Sequence, residues 1–387
     1  MGAESTATPI AVVSPEPTPY RSPLFDRIAA SPDVDLTVIY AAATVAGRTW
    51  TVEPQHRAVF LRGVRVPGAG RLLHHDYPVT PGVWGALTRA RPRCVVVSGW
   101  STFAAQAAVA WCRAHRVSYL LIVESHDEGP RAGWRRTVKR AVVPPIVRRA
   151  AAVLVTGTLA RESMLAHGAP PNRIWVFANT IDVEEWAARA KVLAPRRAEL
   201  RSAFGVGEED VLVLSVARLA PEKGHETLVR AVAATEDTRL VLVLAGAGPE
   251  RARLEELARS VGVRLVLAGE LPHERVIEAY VAADVFALLS EREPWGVVVN
   301  EAAACALPLV LSERVGAAPD LLRCGENGAL VAAGDVEAAA AALRRLASNP
   351  EERAHAGCRS RELVAAWGYR PSVDAFLAAV RAAVGSP

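Results

Sequence analysis

Three short segments of the C-terminal half hold the residues best suited to chemistry, and each follows an apolar run that reads as a strand. In Ala217-Arg218-Leu219-Ala220-Pro221-Glu222-Lys223-Gly224 two cations stand five residues apart on a loop that opens a helix. A helix N-terminus adds partial positive charge and N–H groups, so Arg218, Lys223 and that tip together suit a diphosphate. A solvated charged loop capping the helix fits the same spacing. The second segment, Ala245 to Glu250, carries Gly246 and Gly248, but Arg251 stands where a dinucleotide fingerprint needs its third glycine. The simpler reading is a strand-to-helix turn with Pro249 at the first helical position, its glycines also leaving room for a ligand. The third segment holds Glu293 and Glu301, with seven residues between them. Gly296 lets backbone come close to a ligand, and Glu301 lies about one turn into the helix that follows. A carboxylate there, facing the cleft above the strand ends, can accept two ribose hydroxyls. A surface loop with one stray helical glutamate is the bland alternative.

These segments matter because of the elements expected to carry them. Val211–Val216, Arg239–Ala245, Arg264–Leu267, Val285–Leu289 and Leu309–Leu311 read as strands apolar on both faces. Helices are expected between and after them, over Glu226–Ala234, Pro249–Val261, His273–Ala282, Val297–Cys305, Val336–Ala347 and Pro350–Ala366. Alternation of this kind predicts a doubly wound parallel sheet covered on both faces, with ligands beyond the carboxyl ends of the strands. The N-terminal half repeats the pattern. Pro9–Val13, Val34–Tyr40, Cys94–Val97, Ser118–Val123, Ala152–Val155 and Arg173–Phe177 read as strands, with helices over Pro23–Ala30, Thr102–His115, Val138–Arg149 (broken at Pro144-Pro145) and Arg161–His167. Ile181–Pro195 is helical and polar with a looser pattern, and reads as the link between domains. The expected division is therefore 1–185 as one Rossmann-like domain and 186–368 as a second, with an amphipathic helix in 369–387 returning to the first.

Composition supports two full cores: 387 residues, 51% hydrophobic and 22% charged. A net charge of +4 is too small an excess to argue for nucleic acid. Cys94, Cys112, Cys305, Cys324 and Cys358 are scattered, with no Cys-x-x-Cys pair, which fits free thiols better than a disulfide frame or a zinc site. No apolar core follows a basic start, so no signal peptide is expected, and no charge-free window of membrane-spanning length occurs. Basic charge is almost all arginine; Lys139, Lys191 and Lys223 are the exceptions, so Lys223 inside a motif suggests a need for a compact ammonium.

Taken in order and spacing, the segments resemble the retaining GT-B glycosyltransferases of family 4. Ala217-Arg218-Leu219 to Lys223-Gly224 resembles the family's GRL-x-x-x-KG, Gly246–Pro249 its G-x-GP, and Glu293 to Glu301-Ala302-Ala303-Ala304-Cys305-Ala306-Leu307-Pro308 its paired glutamates running into EA-x-A-x-G-x-P. The likeness is strong from Val211 to Leu330 and weaker before, where Pro19-Tyr20-Arg21-Ser22-Pro23-Leu24-Phe25 looks like one branch of the family. Ala217 and Ala306 replace usual glycines, and prolines in Ser14–Tyr20 replace a usual glycine pair. The resemblance implies a GT-B fold of two Rossmann-like domains and transfer of a sugar from a UDP- or GDP-sugar to an acceptor that is a sugar, a lipid-linked glycan or a small molecule. It implies that Arg218 and Lys223 hold the diphosphate, Glu293 the transferred sugar and Glu301 the ribose. Backbone N–H groups near Gly296 and Val297 would meet phosphates or sugar, and Ala268–Leu271, including Gly269 and Leu271, would lie against the base. Retention at the anomeric carbon is implied as well. With no Asp-x-Asp triplet in a loop and no clustered His or Cys ligands, metal-independent chemistry without a cofactor is expected, the cations and helix tip neutralising the leaving group.

In the N-terminal half, strand Ser118–Val123 runs into Glu124-Ser125-His126-Asp127. His126 matches a position where the family places an active-site histidine; a loop histidine without chemistry is the alternative. His74-His75-Asp76 reads as an exposed loop. Residues 131–149 hold Arg131, Arg135, Arg136, Lys139, Arg140, Arg148 and Arg149 with Trp134 interleaved and no acid. Such a segment suits an anionic membrane surface as well as a solvated helix face, giving a cytoplasmic protein with possible attachment at the inner face. A nucleotide-sugar epimerase would use carboxylates in the N-terminal cleft and would not need the Glu293–Glu301 pair. A non-catalytic sugar-nucleotide binder could lose Arg218, Lys223 or His126 freely.

Overall fold

The computed structural model describes residues 7–44, 52–65, 77–124 and 142–385. The chain forms two compact units, residues 1–179 with 369–387, and residues 180–368. Each is built on a parallel sheet. In the first unit β1 (Thr8–Ser14), β2 (Val34–Tyr40), β3 (Arg57–Phe60), β4 (Cys94–Ser98), β5 (Ser118–Val123), β6 (Ala152–Val155) and β7 (Ile174–Val176) lie in the order β3-β2-β1-β4-β5-β6-β7. In the second, β8 (Val211–Val216), β9 (Leu240–Ala245), β10 (Arg264–Gly269), β11 (Val285–Leu288), β12 (Leu309–Ser312) and β13 (Gly328–Val331) lie in the order β10-β9-β8-β11-β12-β13. Chain order reverses between β1 and β4 and again between β8 and β11. Each reversal leaves a crevice beyond the strand ends, the usual ligand position in this architecture.

The strands are near-continuous apolar runs because both faces are covered. Along β8, Leu212 and Leu214 enter one core while Val211 and Val213 enter the other; along β9, Val241, Val243 and Ala245 alternate in the same way with Leu240, Leu242 and Leu244. The final helix, Tyr369–Val384, places Phe376, Val380 and Ala383 in the core of the first unit beside Phe177 and Leu154.

Four readings from sequence need correction. Residues 181–195 are helical as read but are part of the second unit and not a link: Asp182 caps a helix, Val183–Leu193, whose Val183 and Trp186 are buried in the core of that unit. Its many polar outer residues hide that narrow apolar stripe. The helix Arg197–Ala203 is absent from the sequence reading because it offers the core one apolar residue, Leu200, and its other buried member is an arginine. Arg201 donates to Asp284 at 2.7 Å, Asp284 accepts the Leu212 amide at 2.8 Å, and so the helix is fastened to the start of β8. Strands β3 and β13 were missed because both are short and end their sheets, with Phe60 and Leu330 exposed. In residues 131–149, those after 141 are described. Residues 142–149 stay helical through Pro144-Pro145, and they bury Val143 and Val147 in the first core while Arg148 and Arg149 face out. His74, His75, Asp76, His126 and residues 131–141 lie outside the described residues.

Candidate active site

The site lies at the reversal between β8 and β11, where two loops leave neighbouring parallel strands. After β8 the chain runs through Ala217–Ala220 into a single 3-10 turn, Pro221–Lys223, and then into the helix His225–Ala234. After β11 it passes Glu293 and Trp295 to Gly296, the N-cap of the helix Val297–Ala304. The Glu222 carbonyl accepts the Glu291 amide at 3.0 Å, so the two loops are joined by backbone. Gly224 makes the contact possible. Its φ is +67°, and a Cβ there would sit 2.0 Å from the Leu289 carbonyl oxygen.

That contact brings together residues 70 apart in sequence: Lys223 Nζ lies 2.5 Å from Glu293 Oε2, with side chains 19% and 14% exposed. Charge-assisted pairs of this geometry are stronger than neutral hydrogen bonds, and more so when mostly withdrawn from water. Glu293 is also fixed through its backbone, its amide donating to Arg314 O and its carbonyl accepting the Gly316 amide at 2.9 Å.

Arg218 stands apart from that pair. Its guanidinium is 65% exposed and contacts Glu222 one helical spacing away, at 2.5 Å. Glu222 thus lies between the two expected phosphate-binding cations and occupies one of them. The backbone beneath Arg218 is held more firmly than its side chain. The buried His225 ring places Nε2 3.2 Å from the Arg218 carbonyl, and burial pushes this imidazole down to about 4, so it stays neutral.

Glu301 lies in the same helix as Val297, half-buried against the fully buried Tyr280, whose hydroxyl donates to Oε2 at 2.8 Å. Burial pushes the Glu301 carboxyl up to about 7, against the opposing effect of the Tyr280 hydrogen bond. The Glu301 carboxyl thus keeps its proton to higher pH than an ordinary surface carboxylate. Gly296 has a φ of +93° and offers no side-chain cap, so the helix tip at Val297 is left to other partners.

The glycines after β9 serve the neighbouring loop. A Cβ on Gly246 would lie 2.0 Å from the Ala217 carbonyl oxygen, and one on Gly248 2.2 Å from that of Leu219. The room read as space for a ligand is filled by the Arg218 loop, and Leu219 N donates to Ala247 O to close the contact. Gly246 N donates to Gly269 O at 2.7 Å, so Gly269, at the end of β10, belongs to the same rim; Leu271 packs partly against the core.

Sequence reasoning missed Tyr280, His225, Asn300 and Thr180. Glu222 alone had a visible signal, a carboxylate four residues after Arg218 at helical spacing. The others depend on partners that no local pattern encodes: Tyr280 reaches Glu301 over 21 residues, Asn300 reaches Thr180 over 120 and Thr180 reaches the Trp367 carbonyl over 187.

Among the described residues no three His, Cys, Asp or Glu side chains are grouped to hold a metal ion, and no helix is long and apolar enough to cross a membrane.

Two family models match the chain: glycosyl transferases group 1 over residues 196–363, and the glycosyl transferase 4-like domain over residues 27–180. The chain is similar to the D-inositol 3-phosphate glycosyltransferase of Rhodococcus jostii, 30% identical over 349 residues that cover 85% of this chain and 72% of that protein. It is also 29% identical, over 68% of its own length and 70% of the relative, to the GDP-mannose-dependent alpha-(1-6)-phosphatidylinositol monomannoside mannosyltransferase of Mycolicibacterium smegmatis. Against other curated relatives, such as the D-inositol 3-phosphate glycosyltransferase of Thermomonospora curvata, the chain spans about half the relative's length, 54%. Among solved structures, Anabaena Alr3699/HepE in complex with UDP superposes with a TM-score of 0.74 at 16% identity, covering 95% of this chain and 98% of that one. That likeness shows the fold, a GT-B arrangement of two Rossmann-like halves.

Proposed function

Because this chain belongs to the glycosyl transferases group 1 family, we propose that it is a glycosyltransferase that moves a sugar from a nucleoside-diphosphate sugar to an acceptor hydroxyl. The observation that carries this reading is the Lys223–Glu293 pair, which joins the motif after β8 to the motif after β11 at the reversal of the second sheet. Without donor, Glu293 holds the ammonium. An arriving diphosphate competes for Lys223, and Glu293 is released to accept hydroxyls of the sugar that departs. Arg218 turns from Glu222 to the same phosphates. The tip of the helix at Val297, beyond Gly296, supplies N–H groups, and Glu301 accepts the ribose hydroxyls. Gly246, Gly269 and Leu271 form the rim against which the base lies. His126 contacts the donor sugar or the acceptor.

Charge growing on the leaving diphosphate is the main electrostatic demand as the sugar becomes oxocarbenium-like, and preorganised cations can meet it without a metal. No nucleophile is assigned, so the proposed course is front-face substitution with retention, the leaving phosphate taking the acceptor's proton. Names of relatives support both GDP- and UDP-linked donors: one uses GDP-mannose, and a structural neighbour is complexed with UDP. Lipid-linked acceptors at an anionic membrane surface, approached through residues 131–149, fit the mannosyltransferase relative named for a phosphatidylinositol substrate.

A thermal-shift panel of nucleoside-diphosphate sugars, run on the natural chain and on Lys223→Ala, tests the donor assignment. A true donor at about a hundred times its Kd adds roughly 2.7 kcal/mol to stability. Analysis of the product's anomeric configuration tests the rest. If no nucleotide sugar shifts the melting temperature, the proposal fails; an inverted product rejects front-face substitution alone.

A further inference from the structure

Three residues of the second unit form a buried hydrogen-bond relay that none of the expected site roles uses. The Trp295 indole Nε1 donates to Asn300 Oδ1 at 3.0 Å. Asn300 Nδ2 donates to Thr180 Oγ1 at 3.3 Å, and the Thr180 hydroxyl in turn donates to the Trp367 carbonyl. Exposure is 3% at Trp295 and zero at Asn300 and Thr180. The relay has one polarity. An indole N–H can only donate, so Asn300 must present its oxygen to Trp295 and its amide nitrogen to Thr180, which leaves the Thr180 hydrogen for the carbonyl. The Trp295 and Trp367 rings also touch, with centroids 5.3 Å apart, so the same two segments are joined twice.

Its placement gives the relay meaning. Trp295 is two residues after Glu293 and directly before Gly296, the helix N-cap. Asn300 precedes Glu301 in that helix. Thr180 and Trp367 lie at the two ends of the second unit. Stability gives no reason for a polar chain here, because a buried hydrogen-bonded pair can be exchanged for apolar groups of like shape with little change. What directional bonds add is a single rotamer at each member and one seat for the loop. We propose that Asn300 and Thr180 are positioning residues for the transfer reaction, seating the Glu293 loop and the Glu301 helix through Trp295. This deepens the glycosyltransferase reading and rests on it. A loop misplaced by about 1 Å can cost on the order of a hundredfold in rate, so the relay is worth keeping.

The test compares Thr180→Val, Thr180→Ser and Asn300→Leu with the natural chain by two readouts. Hydrogen exchange of a peptide covering residues 290–299 reports the seat of the loop whether or not a reaction is known. Steady-state kinetics with the donor found by thermal shift reports its effect on transfer. In Thr180→Val and Asn300→Leu, exchange over 290–299 is expected to quicken at least tenfold and kcat to fall about tenfold or more, with donor KM within a factor of three. Thr180→Ser, which keeps the hydroxyl, is expected to restore both. Unchanged exchange in Thr180→Val overturns the positioning role, as does equal loss of kcat in the Ser and Val variants. If the natural chain transfers no sugar from any donor, the functional reading fails, and the exchange arm still decides whether the relay seats the loop.

Discussion

Replacing Glu301 by Gln separates what the fold gains from what the reaction needs. Burial raises the carboxyl from 4.5 to about 7, so the folded chain keeps a proton that the unfolded chain has lost. Between pH 4.5 and 7 the native state binds more protons, and stability must fall as pH rises through that window. Above about pH 7 the loss is complete, at about 3 kcal/mol if each pH unit is worth 1.36 kcal/mol. Glutamine imitates the protonated acid, still accepts the Tyr280 hydroxyl and has no such slope. Glu301→Gln is therefore expected to match the natural protein at pH 4.5 and to exceed it by about 3 kcal/mol at pH 8. For a unit of this size that is roughly 6–12 °C in Tm. Nucleotide affinity should move the other way. The natural chain's donor binding strengthens as pH rises through about 7 and the acceptor carboxylate ionises, while the variant binds weakly at every pH. Thermal unfolding from pH 4.5 to 8, with titration calorimetry of the donor, reads both. Parallel stability curves for the two proteins would refute the reasoning, because they would mean that Glu301 is solvated in the native state.

Further outcomes follow from other parts of the second unit. Lys223→Ala is expected to lower kcat by about 10²–10³ at saturating donor, as removal of other preorganised charge stabilisers does; a change of less than fivefold contradicts the role. Chelation with EDTA should leave the transfer rate unchanged. Arg201→Ala leaves the Asp284 carboxylate with the part-exposed Arg197 at 2.7 Å and the Leu212 amide at 2.8 Å but without its buried cation, and is expected to cost about 3–5 kcal/mol in urea denaturation. Ala306→Gly should stabilise the protein by up to about 1 kcal/mol. Ala306 has a φ of +59°, a backbone state that disfavours a Cβ by roughly 1–2 kcal/mol, and the added freedom of unfolded glycine takes back part of that gain. Equilibrium unfolding of the variant checks the sign.

The legible parts of the chain were those where a local pattern and the buried surface coincide. β8, β9 and β11 are apolar on both faces because both faces are packed, and their ends could be read within a residue or so. β13 failed because a sheet-edge strand needs only one buried side, and Leu330 shows the other to water. The helix Arg197–Ala203 failed because its anchor, Arg201, is a charged residue that becomes a core residue only once Asp284 is opposite it. In the site, the motifs were visible but their contact was not. Lys223 meets Glu293 because β8 and β11 are hydrogen-bonded neighbours, and strand order is a property of the whole sheet. Ala306 shows the reverse: its departure from a family glycine was plain in sequence, and its strain required the dihedral angle.

The end of β10 carries a consequence of another kind. β10 closes the sheet with β9 on one side, its register slips between Leu267 and Gly269, and an added Cβ at Gly269 would meet nothing within 4 Å. Space alone does not admit a side chain at Gly269, because its φ of +70° strains any residue with a Cβ, while the ammonium and carboxylates stay where the inner strands hold them. A descendant that placed another residue at this corner would be strained by its own backbone and not by its neighbours, so the corner is expected to stay glycine while the exposed surface around it drifts.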